Sequence, residues 1–316
     1  MAYYLRRLLG VLATLLVVSL LVFSLLQLAP GDPATVVAGP DATPEQIAAV
    51  RANLGLDAPF LSRYGGWLGD ALRGDLGTSY TLGQPVTDLI GQRLGSTLQL
   101  VIAAMLLMGV LSAAAGVVLA TGRNGAVRAA VDYLTTLALS VPPFVSSIIL
   151  IFAFAVIWQV LPSGGEASIT ADPGGALRFL VLPALALALP NAAVLARLLA
   201  TDMRRSLQEE YVLTARAKGA SRRRIVWRHA LPASLNLYIV QLGINFGNLI
   251  GGALVVEAIF ARAGIGGLLV DAVTTRDYPT AQAVLLLTVA AAILAQMVSE
   301  MVIARVDPRV KARAAR

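Results

Sequence analysis

Six runs long and apolar enough to cross a lipid bilayer recur along this 316-residue chain. A helix needs about 20 apolar residues to span a hydrocarbon core of about 30 Å, and a helix satisfies its own backbone hydrogen bonds where no water can. The runs lie at about Leu8–Leu28, Thr97–Ala120, Tyr133–Val160, Phe179–Leu199, Leu235–Val256 and Ala281–Ala304. Composition agrees: 14% of residues are charged, against about 25% in soluble domains. The pattern predicts an all-α polytopic membrane protein with six transmembrane helices.

Arg6 and Arg7 precede the first run, as they would in a secretory signal. A signal core is only about 7–15 residues and is followed by a small-residue cleavage motif. This run is longer and ends at Pro30-Gly31-Asp32-Pro33, so residues 1–29 are read as a retained transmembrane anchor.

The connecting segments orient the chain. Seventeen Lys and Arg fall in the two termini, the loop at Arg123–Arg128 and segment 200–232, while seven fall in segments 30–96, 161–178 and 257–280. The positive-inside rule puts the first set, with both termini, in the cytoplasm. Basic residues placed between spans are explained by topology, not by nucleic acid. The chain has no cysteine and one histidine, His229, which argues against thiolate or multi-histidine metal sites and a Ser-His-Asp centre.

Segment 30–96 is long for a passive connection. Thr43, Pro44 and Gln46 form a capping box that opens a short helix ending at Gly55, with Ile47, Val50 and Leu54 as its apolar stripe. This outer segment is either a solvated cap or a docking surface for an external partner. In 257–280, Gly264, Gly266 and Gly267 predict a turn into a short re-entrant or interfacial helix.

Segment 200–232 is the most informative. Strong helix formers predict a helix over Gln208–Lys218, ended by Gly219. A second short helix is expected over Ser221–His229, closed by Leu231-Pro232. Tyr211, Ala215 and Lys218 share a face, and small residues there admit a partner closely. An ordinary basic loop on anionic lipid accounts for the charges but not for the glycine break. A docking element for a motor subunit accounts for both.

Here the residues resemble a known family. Glu210, Ala215, Gly219 and Leu231-Pro232, within "EYVLTARAKGAS…RHALP", are similar to the EAA loop of ABC importer permeases of the dipeptide/oligopeptide type, first permease subunit. The resemblance continues through "LLVFSLLQLAPGDPA" (20–34), "LGLDAPFLSRYGGWL" (54–68), "GDLGTSY" (74–80), "RLGSTLQL" (93–100), "SVPPF" (140–144), "RDYP" (276–279) and "DPRV" (307–310). It implies a type I ABC importer (MetI-like) fold, with an extracytoplasmic insertion at 30–96 after the first helix, a five-helix core at 97–305 and a cytoplasmic tail at 306–316. It also implies a coupling helix at 210–219, with Glu210, Tyr211, Ala215, Arg216, Lys218 and Gly219 at the ATPase contact. Tyr211-Val212 stands where the general motif has a small residue, which puts the contact at Tyr211 in doubt. Arg222 to Arg224 are assigned to topology and lipid.

The implied partners are a second homologous permease, two P-loop ATPase subunits that use ATP and magnesium, and an extracytoplasmic peptide-binding protein. No G-x-x-x-x-G-K-[ST] occurs in this chain, so no nucleotide or other cofactor is expected on it. Glutathione and nickel remain open as substrates. An ion-driven secondary transporter is the competing class; it favours paired mid-membrane carboxylates and internal repeats, and the sequence offers neither.

Polar residues inside spans mark candidate pathway linings. Gln241 and Asn245 share one face of the fifth span, with Asn248 nearby, and Asn191 lies in the fourth. Gly243, Gly247 and Gly251 form successive small-residue steps. Pro142 and Pro143 predict a kink in the third span.

Overall fold

The computed structural model describes residues 2–28, 31–39 and 41–306. They are helical with no strand; one isolated bridge joins Thr78 and Pro85. In chain order the helices are α1 (Ala2–Leu28), α2 (Pro33–Ala38), α3 (Pro44–Asn53), α4 (Phe60–Leu72), α5 (Val86–Thr121), α6 (Gly125–Ser140) and α7 (Pro143–Leu150). There follow α8 (Pro173–Ser206), α9 (Glu210–Ala217), α10 (Arg222–Ile225), α11 (Leu231–Ile259), α12 (Ile265–Thr274) and α13 (Tyr278–Val306).

Among the described residues, four helices are long and apolar enough to cross a membrane: α5, α8, the continuous α10–α11 and α13. α6 and the stretch Pro143–Ile157 that begins with α7 are long and apolar enough only when taken together. The sixth expected span falls on α1, whose described apolar stretch is Leu9–Ser24.

The third span departs from expectation. The prolines break it instead of kinking it, and the helices on either side are bent by 114°. Val141 is extended (φ −107°, ψ 116°), as a residue before proline prefers to be. Pro142 then caps α7 and Pro143 is its first residue, where a missing N–H costs nothing. Beyond Leu150 the chain widens into a π-helical run, Ile151–Ile157.

The described residues form two compact units, one within Met1–Leu98 and Ala261–Ile293, the other within Gln99–Phe260 and Leu294–Arg316. In the second, α8 is central. Most of its apolar stretch is buried, whereas most of that of α5 and of α10–α11 is not. The buried face of α8 is rich in alanine, including Ala186, Ala188, Ala192 and Ala196, which lets neighbours approach closely where apolar burial alone gives no drive between helices. Gly116 of α5 uses that space: a Cβ there would lie 2.9 Å from the Ala196 carbonyl oxygen. The Ser112 and Tyr238 hydroxyls meet at 2.7 Å, and Tyr238 donates to the Gly109 carbonyl at 2.6 Å, tying α5 to α11.

In the first unit the predicted capping box is present. Thr43 N–H donates to Gln46 Oε1 at 2.8 Å, and Gln46 N–H donates back to Thr43 Oγ1 at 3.3 Å. Gly55 follows α3 with φ +64°. Phe23 of α1 packs edge-on against Phe60 and Tyr64 of α4, with ring centroids 5.4 and 5.5 Å away. Gly264 precedes α12, the short helix predicted there.

Candidate coupling and translocation site

Helix α9 is short and both of its ends are defined by backbone geometry. Glu209 is its extended N-cap residue, and Glu210, in the first turn, favours the positive end of the helix dipole. At the other end Ala220 N–H donates to the Ala215 carbonyl at 3.0 Å and Gly219 N–H to that of Arg216 at 3.0 Å. Gly219 has φ +81°, the left-handed conformation that closes a helix. The predicted helix is therefore present over a shorter range than Gln208–Lys218.

Val212 seats the helix and is fully buried. Tyr211 turns back, and its hydroxyl hydrogen-bonds the Ser206 hydroxyl at the end of α8. Ala215 is half-buried, while Glu210, Leu213, Arg216, Ala217 and Lys218 are exposed. The outward face thus carries one acid, two bases and a leucine, and Tyr211 stands at its edge.

The second short helix does not close at Leu231-Pro232. α10 opens on Ser221, passes through a π-helical turn at Val226–Ala230 and runs on into α11. Pro232 follows directly on that π-helical turn, inside the continuous helix. The arginines also do more than set topology. Arg222 donates to the Thr121 carbonyl at 2.7 Å and Arg204 to that of Leu119 at 2.8 Å. Both cap the C-terminal end of α5, where cations and carbonyl acceptors match. Sequence spacing could not find these bonds, which join residues 101 and 85 positions apart.

The pathway candidates separate. Asn245 is 9% exposed and donates to the Gln241 carbonyl of its own helix at 2.8 Å. Asn191 likewise donates to Leu187 at 3.2 Å. Gln241 is half-buried and Asn248 is exposed. Of the glycines, Gly243 faces Ser299, with 3.2 Å from its would-be Cβ to the hydroxyl, while Gly251 faces open space. The close contact with α8 is made instead by Gly252, where a Cβ would lie 2.7 Å from Leu187.

Sequence reasoning missed one polar centre altogether. Asp277 is 2% exposed. Its carboxylate accepts the Ser79 hydroxyl, the Tyr80 N–H at 3.0 Å, the Thr81 hydroxyl at 3.3 Å and the Thr280 hydroxyl at 2.8 Å. The segments "GDLGTSY" and "RDYP" therefore meet. A signal was available: an aspartate followed by Tyr278-Pro279 has the form of a helix start. Glu257 in α11 and Arg262 after it are also buried, at 0% and 3% exposure, and Arg262 donates to the Ser96 hydroxyl at 3.0 Å.

Known proteins match this architecture. Residues 112–312 match the family model described as binding-protein-dependent transport system inner membrane component, and residues 1–101 match the model of its N-terminal region. A Sinorhizobium fredii protein named "probable peptide ABC transporter permease" is 38% identical over 98% of this chain and 99% of its own length. The glutathione transport system permease protein of Escherichia coli is 37% identical over 98% of both chains. A solved structure of the MetNI methionine ABC transporter in inward-facing form aligns with TM-score 0.55 at 20% identity, covering 69% of this chain and 96% of that one, and so shares the fold. The chain belongs to the inner-membrane components of binding-protein-dependent transport systems, the permeases of ABC importers.

Proposed function

We propose that this permease forms half of a peptide pathway, with a second similar permease as the other half, and that α9 is where an ATPase subunit moves it. The observation that carries the reading is the construction of α9. It is a short surface helix, seated by Val212, ended at Gly219 and followed by one helix that runs from Arg222 to Ile259. A push on α9 is passed along that helix and, through Arg222 and Arg204, to the end of α5. ATP and magnesium would act on the two ATPase subunits, and an external binding protein would deliver peptide to the opposite face. The side carrying α9 is the cytoplasmic one by its excess of basic residues. Nucleotide-driven closure of the ATPases would then switch the bundle between inward- and outward-open forms.

Peptide is favoured as substrate by the names of the relatives. Glutathione, itself a tripeptide, is the second reading, favoured by the Escherichia coli relative. The test is uptake by the assembled complex in proteoliposomes. Glu210→Lys and Gly219→Pro are expected to abolish uptake and substrate-stimulated ATP hydrolysis while the complex still assembles. Uptake that persists with residues 210–219 scrambled overturns the coupling role. Uptake that collapses under a protonophore at constant ATP points to an ion-driven carrier instead.

A further inference from the structure

Two adjoining cavities run along the crease between α5, α6 and α8. The first, of 330 Å³, is apolar; its walls include Ala115 and Val118 of α5, Leu134 and Ala138 of α6, and Ala192 of α8. The second, of 440 Å³, is polar and is lined by Leu119, Gly125, Arg128, Ala129, Asp132 and Arg204. They are consecutive along the same helices. Val118 of the apolar wall is followed by Leu119 of the polar one, and Val131 of the apolar wall by Asp132 of the polar one. The crease thus changes from hydrocarbon-like to cationic within one turn of α5 and of α6.

The charges of the polar cup favour an anion. Among the described residues neither Arg128 nor Arg204 pairs with a carboxylate, and the acid of the cup, Asp132, is held by Arg197 of α8 at 3.3 Å. Arg204 spends one Nη on the Leu119 carbonyl, which fixes its guanidinium at the rim. Guanidinium groups match phosphate oxygens in geometry and charge. The cup lies at the end of the bundle that also carries Thr121 and Arg222, so it belongs to the surface layer of the α9 side. The apolar cavity extends from it toward the bilayer interior.

We propose that this crease is a site for an anionic phospholipid of the leaflet on the α9 side, with the headgroup phosphate between Arg128 and Arg204 and an acyl chain along the alanine-lined groove. A soluble phosphate would leave the apolar half unused, and a packed helix from another subunit would leave the arginines facing an apolar surface. Only a molecule with an anionic head and a hydrocarbon tail matches both halves. Because α8 meets α9 through Ser206 and Tyr211, and α5 meets the following helix through Thr121 and Arg222, an occupant here would brace the element proposed to receive the ATPase stroke.

The test is native mass spectrometry of the assembled transporter, released from bilayers with equal phosphatidylglycerol and phosphatidylcholine. The wild-type complex is expected to retain phosphatidylglycerol in preference. Arg128→Gln should lower that retention by about tenfold, the size of a lost hydrogen bond between charged groups, and Arg128→Lys should largely restore it. Ala192→Leu, which fills the apolar half, should lower retention of both lipids. Should Arg204→Gln fail to assemble after losing its bond to Leu119, Arg128→Gln decides alone. Unchanged phosphatidylglycerol retention in Arg128→Gln overturns the proposal. So does a photo-crosslink from position 134 to another subunit in place of lipid.

Discussion

Asp277 and Ser79 are 198 residues apart in sequence, yet the serine hydroxyl donates directly to the buried carboxylate that stands just before α13. The same carboxylate takes the Tyr80 N–H and the Thr280 hydroxyl. One acid thereby fixes the connection between α4 and α5 to the start of the last helix. Asp277→Ala takes this acceptor from two buried hydroxyls, those of Ser79 and Thr280, and from the half-buried Tyr80 N–H. At about 1–3 kcal/mol for each buried donor left unsatisfied, the loss is about 3 kcal/mol or more. Thermal unfolding in detergent, with protease cleavage near residues 74–82 as a local readout, checks it. Ser79→Ala should cost about 1 kcal/mol, and the double variant should fall short of the sum because the two share one bond.

Asp32 gives a pH dependence. It accepts from Arg51 at 2.7 Å and from the Ala34 N–H at 3.0 Å, joining the start of α2 to α3. Burial pushes its carboxyl up, but the bonds from Arg51 and Ala34 and the charge of Arg51 outweigh this, so it titrates below its ordinary value of 3.8. A depressed carboxyl contributes stability that is fully present above the ordinary value and is lost as pH falls through the folded one. The α2–α3 junction should therefore hold at neutral pH and loosen only as pH drops below 3.8. Carbon NMR titration of the Asp32 carboxyl checks the direction. Arg51→Ala should move the midpoint up, and a wild-type midpoint above 3.8 contradicts the account.

Gly219 separates backbone strain from packing. Its φ is +81°, and no heavy atom lies within 4 Å of where a Cβ would stand. Replacing it with alanine therefore meets no clash, only the left-handed penalty of about 1–2 kcal/mol. With α9 in the coupling role proposed above, Gly219→Ala should lower the ratio of substrate uptake to ATP hydrolysis, with a small loss of melting temperature. Gly219→Asn should lie between alanine and wild type, since asparagine tolerates that conformation. Equal effects from alanine and asparagine would mean that the turn is not what matters.

Local chemistry was legible in the sequence, and long-range pairing was not. The Thr43–Gln46 box, the stop at Gly219 and the helix after Gly264 each depend on residues within a few positions, and each is present. Pro142 and Pro143 announced a disruption, but whether two prolines kink a span or break it depends on what the flanking helices pack against. Arg222 read as one more basic residue because Thr121, whose carbonyl it takes, lies 101 positions away. Asn245 read as a pathway residue because an amide in a span is costly, yet that cost is met by the preceding turn of its own helix. Asp277 stood in the sequence only as a letter of the quoted RDYP motif, since only the folded chain brings the Ser79 turn to it.

Two glycines on α5 turn one substitution into opposite outcomes. At Gly116 an added Cβ would lie 2.9 Å from the Ala196 carbonyl oxygen and 2.9 Å from Leu199 Cδ2. The backbone oxygen of a central helix has little room to yield, so Gly116→Ala must push α5 away from α8. Overpacking of this kind costs about 1–3 kcal/mol, which outweighs the gain of about 1 kcal/mol that alanine brings to a helix interior. At Gly91 nothing lies within 4 Å and the residue is exposed, so only the gain remains. Gly116→Ala should lower the melting temperature of the purified complex and Gly91→Ala should raise it. Were both to raise it, α5 and α8 would not be in the close contact described, and the alanine-rich face of α8 would need another partner.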